Sequence, residues 1–209
     1  MNPQQRKRII DSQRDAWLRY GYHPHALYWS DLNIQHLRFA QLQKIGMQSG
    51  DSVLDVGCGF GDLAGYLSLQ GIKSRYTGID LSPELLAEGR KRYPESCLLE
   101  GDLFDINPEP ESFDYVLMSG ALNRDLQDKG SYAYKTLRLM FAICRKGMAF
   151  NLLDARHEWI KGRWDLQSFL PDEVLRFVKQ FTPKPVAVQL VDDYLDNDFT
   201  ILVWKDRRK

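Results

Sequence analysis

The stretch Val53-Leu54-Asp55-Val56-Gly57-Cys58-Gly59-Phe60-Gly61-Asp62-Leu63 decides the fold of this chain. SVLDV (52–56) is a short apolar run that suits a buried strand, and a glycine cluster ends it. DLAGYLSLQ (62–70) follows with helical spacing and stops at Gly71. Glycines between a strand and a helix permit a tight turn and let a ligand lie close against the backbone. Many turns contain a glycine triplet, so the neighbours give this one its meaning.

Downstream, the same unit repeats. RYTGID (75–80) is a second strand and SPELLAEGRKRY (82–93) a helix, with Ser82 as N-cap and Pro83 at its first position. CLLEGD (97–102), FDYVLMSG (113–120) and GMAFNLLD (147–154) are further strands, and SYAYKTLRLMFAICRK (131–146) is a long helix. After the helix DEVLRFVKQF (172–181), the β-rich runs VAVQLVDDY (186–194) and DFTILVWK (198–205) are separated only by LDN. That gap is too short for a parallel crossover and demands an antiparallel hairpin. The pattern predicts an α/β, Rossmann-like three-layer sandwich. Its sheet is mostly parallel and seven-stranded, with an antiparallel C-terminal hairpin strand.

Upstream, residues 1–50 read as an N-terminal helical cap of the same domain, interrupted at GYHP (21–24), and 51–209 form the sheet-bearing part. A length of 209 residues suits one domain. Twenty-eight basic and twenty-eight acidic side chains cancel, which disfavours a dedicated nucleic-acid partner. The charge is uneven, however. Residues 1–50 hold seven Lys/Arg against three Asp, whereas 77–116 hold ten acidic residues against Arg90, Lys91 and Arg92. A basic cap packed over an acidic face is one reading of that asymmetry. No apolar stretch reaches the roughly 18 residues of a membrane span, and MNPQQRKRII lacks a signal-peptide core, so a cytoplasmic location is expected. Cys58, Cys97 and Cys144 read as buried, reduced thiols, and no metal site is expected. The acidic DDYLDND (192–198) reads as turn chemistry, and KDRRK (205–209) as a solvated tail.

Three carboxylates sharpen the ligand class. Asp55 ends the first strand. Asp80 closes the second, nineteen residues after Gly61, placed to accept from ribose hydroxyls. Asp102, at the end of the third strand, is placed to accept from the exocyclic amine of an adenine. All three open into one crevice at the carboxyl ends of adjacent strands. The loop reads G-x-G-x-G, with Asp55 two positions before the first glycine. Its negative charge repels a pyrophosphate and suits a ligand carrying an ammonium or a sulfonium.

In these residues the chain resembles the class I S-adenosylmethionine-dependent methyltransferases. Leu54 to Asp62 (LDVGCGFGD) looks like their first motif, and GIDLS (78–82), EGDLF (100–104) and FDYVLMSGAL (113–122) are similar to the later ones. The likeness spans roughly residues 50–205 and implies the cofactor S-adenosyl-L-methionine. It further implies that Asp55, Gly57 and Gly59 line the methionine portion and that Asp80 holds the ribose. Leu81, Asp102 and Leu103 would flank the adenine, and Ser119 and Gly120 would lie beneath the sulfonium. Arg38 is placed to reach the methionine carboxylate, as cap arginines do in some relatives. SGAL stands where the family's amino-methylating DNA enzymes carry (N/D)PP(Y/F), which points away from nucleobase amines.

Methyl transfer from a sulfonium is an in-line displacement in which the protein mainly aligns the reacting atoms. A general base is needed only for a protonated acceptor. His157, in the candidate lid DARHEWIKGRW (154–164), and Asn123, after the fourth strand, are the candidate catalytic residues. The aromatic segment RYGYHPHALYWS (19–30) is a candidate enclosure for substrate. The expected function is methylation of a small molecule at oxygen or nitrogen. The alternatives are RNA or protein methylation using the basic cap, and a non-catalytic cofactor-binding partner. The sequence specifies no oligomeric state.

Overall fold

The structure is a computed structural model that describes residues 1–181 and 184–205. The chain opens with α1 (Pro3–Tyr20), started by a reciprocal cap in which the Gln5 amide donates to Asn2 Oδ1 and the Asn2 amide to Gln5 Oε1. Gly21 ends it with a positive φ of 57°. A 3₁₀ turn (Pro24–Leu27) leads to α2 (Leu32–Gln43), capped by Asp31. The alternating part comprises β1 (Ser52–Val56), α3 (Asp62–Leu69), β2 (Arg75–Asp80), α4 (Pro83–Arg92), β3 (Cys97–Glu100) and α5 (Leu103–Ile106). Then come β4 (Phe113–Ser119), α6 (Ser131–Ile143), β5 (Cys144–Asp154) and α7 (Glu158–Lys161). The last elements are β6 (Ser168–Phe169), α8 (Pro171–Val178), β7 (Ala187–Val191) and β8 (Asp198–Trp204).

The strand order is β3-β2-β1-β4-β5-β8-β7. The first five strands are parallel, and β8 runs antiparallel to both β5 and β7. All seven expected strands are present in this α/β sandwich. An eighth, the two-residue β6, adds to the end of β5 opposite Leu153 and Asp154. β3 stops at Glu100 rather than 102, because Gly101 turns the chain (φ 141°) and Asp102 caps α5. β5 starts at Cys144, three residues earlier than expected, directly from the end of α6. The direction of chain progression reverses between β1 and β4, which opens a crevice at their carboxyl ends.

Alternation along the strands divides the core between two faces. Val116, Met118, Met148 and Phe150 pack with Leu137, Met140 and Phe141 of α6 and Val174 and Val178 of α8. Val53, Tyr115, Leu117, Ala149 and Leu202 pack with Phe39 and Leu42 of α2 and with Leu63 and Leu67 of α3. α2 thus belongs to the core. α1 does not: Ala16 is its only buried residue, and Leu18 is exposed. Trp17 packs α1 on Phe60, ring centroids 5.8 Å apart, and polar ties add to this contact and realise the basic-on-acidic arrangement. Arg6 Nη2 lies 3.3 Å from Asp102 Oδ2 and also contacts Asp105, while Arg14 Nε donates to Glu84 Oε1 at 2.7 Å.

Two smaller expectations are corrected. Cys58 and Cys144 are buried free thiols, but Cys97 is exposed because it starts the edge strand β3. Lys205 is not part of a solvated tail: it is buried, and Nζ donates to the Cys144 carbonyl at 2.7 Å. The rest of that stretch, 206–209, lies outside the described residues. Among the described residues, no helix is long and apolar enough to cross a membrane.

Candidate functional site

A cavity of about 710 Å³ lies over the carboxyl ends of β1 to β4, beneath the cap. Its floor is the loop from β1 to α3. Gly57 and Gly59 have φ values of 71° and 57°, which side-chain-bearing residues rarely adopt. A Cβ on Gly57 would stand 2.3 Å from Ala121 Cβ, and one on Gly59 2.7 Å from Leu27 Cδ2. The glycines therefore serve packing against the β4 loop and the cap as well as the turn itself.

Asp80 knits this floor together. Gly59 N donates to its Oδ2 and Ser82 N to its Oδ1, both at 2.9 Å. Each carboxylate oxygen keeps a further lone pair for a ligand hydroxyl. Burial raises the Asp80 carboxyl above its ordinary value, and these backbone donors oppose the rise. Asp55 is also buried and accepts from Tyr76 Oη at 2.5 Å. Burial pushes Asp55 up to about 7; the Tyr76 hydrogen bond opposes this and the Asp80 charge adds to it. A carboxyl so desolvated gains strongly from an adjacent cation.

Leu81 and Leu103 line an apolar wall with Ile79. Asp102 lines the cavity too, but both its oxygens are engaged. Oδ1 accepts from Phe104 N and Asp105 N at 2.9 and 3.0 Å as the cap of α5, and Oδ2 faces Arg6. At the end of β4, Ser119 and Gly120 line the cavity. Gly120 has a φ of 71°, and a Cβ there would stand 2.6 Å from Trp29 Cη2. Its N–H donates to Asn151 Oδ1 at 3.0 Å. Asn151 is fully buried, and the reading of the sequence did not single it out. A lone amide in the apolar run AFNLLD was the available signal.

Arg38 reaches the cavity from α2. Its Nη2 lies 2.7 Å from Asp198 Oδ2, its guanidinium carbon sits 4.4 Å from the centroid of the Trp29 ring, and its buried Nε has no hydrogen-bond partner. Asp198 is not simply turn chemistry. It is the first residue of β8, buried, and burial pushes it up to about 6 against the pull of Arg38. Asp192 pairs instead with Arg156 at 2.7 Å.

At the far end of the cavity stand Gln13, Tyr28, Asn123, Arg124, Trp159, Arg163 and Asp165. The side-chain oxygens Asn123 Oδ1 and Gln13 Oε1 are buried without a partner. Part of the candidate lid therefore reaches the cavity, through Trp159 and Arg163. His157 does not; it is the N-cap residue of α7 and stands outside the lining. Trp164 points away and is exposed. Tyr28 and Trp29 of the aromatic segment line the roof, whereas His23 and His25 pack on each other outside it. Two bent glycines, an unpaired guanidinium N–H, two buried carboxyls and an apolar wall fit a nucleoside with an amino-acid tail.

The family profile described as "Methyltransferase domain" matches residues 53–147. Rv1506c of Mycobacterium tuberculosis (strain ATCC 25618 / H37Rv), itself assigned as a methyltransferase only provisionally, is 34% identical over 158 residues. That alignment covers 74% of this chain and 93% of the relative. Trans-aconitate 2-methyltransferase of Escherichia coli O1:K1 / APEC is 31% identical over 81 residues, 39% of this chain and 32% of that enzyme. Magnesium protoporphyrin IX methyltransferase (ChlM) from Synechocystis PCC 6803, solved with bound SAM, shares the fold with a TM-score of 0.68 at 14% identity over 97% of both chains.

Proposed function

The chain belongs to the S-adenosylmethionine-dependent methyltransferases, and from that premise we propose that it methylates a small molecule at oxygen or nitrogen. The observation that carries this reading is the roof: Leu27 presses on Gly59 and Trp29 on Gly120. An acceptor atom must pass beneath these cap side chains to reach Gly120. That suits a small molecule better than an atom on the surface of folded RNA or protein. The cavity of about 710 Å³ takes in the cofactor crevice and the acceptor end together, which leaves the acceptor only part of a space of small-molecule size, roughly 300–1,000 Å³.

When bound, S-adenosylmethionine supplies an electrophilic methyl group, which leaves sulfur as the acceptor's lone pair forms the new bond. Asp80 takes the ribose hydroxyls, Asp55 the ammonium and Arg38 Nε the carboxylate, with Leu81 and Leu103 beside the base. Asn151 holds the backbone of Gly120 under the reacting centre. The unpaired side-chain oxygens Asn123 Oδ1 and Gln13 Oε1 accept from an O–H or N–H of the acceptor and so aim its lone pair. An amide oxygen orients such a proton without removing it: the neutral oxygen or nitrogen attacks with its lone pair, sulfur keeps the electron pair of the broken S–C bond, and the proton of the methylated centre passes to solvent water, so the protein contributes alignment above all.

The test is incubation with methyl-labelled cofactor and a cell extract, separated afterwards by molecular size. Label in small metabolites supports the proposal, whereas label only in RNA or protein overturns it. Tight cofactor binding with no label anywhere would instead favour a non-catalytic partner.

A further inference from the structure

Three guanidinium groups line the cavity, and two of them are neutralised. Arg38 faces Asp198 at 2.7 Å, and Arg163 donates to both oxygens of Asp165 at 2.7 Å. Arg124 makes no ion pair among the described residues. Its Nη2 donates to Ser12 Oγ at 2.9 Å, and its guanidinium carbon lies 4.3 Å from the centroid of the Tyr28 ring. Tyr28 is fixed in turn, its hydroxyl donating to the Ser12 carbonyl at 2.7 Å. Asp165 is held below the usual carboxylate range first by Arg163 and only lastly by the charge of Arg124. Neutral groups from α1 and the cap turn thus position Arg124 without cancelling its charge.

A half-buried cation aimed into a cavity with neutral partners favours an anion there, and a guanidinium fork matches a planar carboxylate with two parallel N–H donors. Asn123, the preceding residue, lines the same cavity and has an unpaired side-chain oxygen. We propose, resting on the small-molecule reading above, that Arg124 anchors a carboxylate of the methyl acceptor. The substrate class is then a small carboxylic acid that also carries a hydroxyl or N–H facing Asn123. One free guanidinium matches a single negative charge. Asp55, Asp80, Asp102 and Asp165 elsewhere in the lining disfavour a multiply charged phosphate.

The test divides a small-metabolite pool by anion exchange into acidic and non-acidic fractions and incubates each with labelled cofactor and the protein. The labelled acidic acceptor is then titrated against wild type, Arg124→Gln and Arg124→Lys, with the affinity for S-adenosylhomocysteine measured alongside. The expected result is label from the acidic fraction and a KM raised about tenfold or more in Arg124→Gln, the loss of a charged hydrogen bond. Arg124→Lys should show a smaller rise, and S-adenosylhomocysteine affinity should stay within about twofold in both. Should Arg124→Gln fail to fold, the KM of Arg124→Lys alone decides, an unchanged value counting against the anchor. Label only in the non-acidic fraction, or an unchanged KM in folded variants, overturns the anchor and leaves the small-molecule reading standing. No label in either fraction, with S-adenosylhomocysteine still bound, overturns both.

Discussion

Arg38 on α2 and Asp198 at the head of β8 form a buried ion pair, Nη2 to Oδ2 at 2.7 Å, which ties the helical cap to the sheet at the wall of the cavity. Arg38→Met removes the cation and leaves Asp198 buried with the Tyr194 hydroxyl as donor and the like charge of Asp154 nearby. Breaking a buried pair from one side costs about 3–5 kcal/mol when the remaining charge stays ionised. Asp198 sits near 6 in the fold, above the roughly 3.9 of an unfolded Asp, so its ionised form is the disfavoured one. Without Arg38 that carboxyl rises further, so the penalty for losing Arg38 should grow as pH rises from about 6 upward. Urea denaturation at pH 8 is expected to show the full loss and at pH 5 a clearly smaller one; equal losses would contradict the pair.

Gly120→Ala tests the contact between the β4 loop and the roof. The left-handed backbone alone costs an alanine about 1–2 kcal/mol, and its Cβ would also overlap the Trp29 ring. Thermal unfolding should show a destabilisation of at least about 1 kcal/mol, with a partial return in Gly120→Ala/Trp29→Phe, where the ring is smaller. A neutral Gly120→Ala would mean that Trp29 does not bear on the loop.

What was legible in the sequence was what is local. The strand–glycine–helix spacing around Gly57 and Gly59 fixed a turn that nothing else explains, and Asp80 followed from its place at the next strand end. The three-residue gap before Asp198 forced the hairpin. The acceptor end was not legible, because its contacts join distant segments: Arg124 meets Ser12 112 residues away, and Gly120 meets Asn151 31 residues away. His157 looked like a base because it is titratable, but helix geometry made it the N-cap residue of α7, outside the cavity. Asp102 looked like a free acceptor because its residue type also suits a helix cap, and the cap of α5 engages it. Lys205 sat in a basic run, and only the register of β8 against β5 reveals that it is buried.

Asp114 is one source of stability that acid should remove. Burial works against its ionised form, but hydrogen bonds from Ser52, Arg145 and Lys146 outweigh it and hold the carboxyl well below the usual range. A depressed carboxyl contributes stability that is present above its unfolded value of roughly 3.9 and lost as pH falls below it. Melting temperatures from pH 6 to pH 2.5 should fall more steeply for wild type than for Asp114→Asn, so that the two curves converge in acid. Parallel curves would rule out this source of acid sensitivity.

The placement of the cofactor over the glycine loop is tested most directly by calorimetric titration of S-adenosylhomocysteine into wild type and Asp80→Ala. Asp80 both accepts from Gly59 N and faces the cavity, so its loss removes a ribose acceptor and slackens the floor. Wild type should bind one equivalent, and folded Asp80→Ala should bind at least about tenfold more weakly, the low end for losing a hydrogen bond to a charged group. Equal affinities in two folded proteins would contradict the assignment of this crevice as the cofactor site.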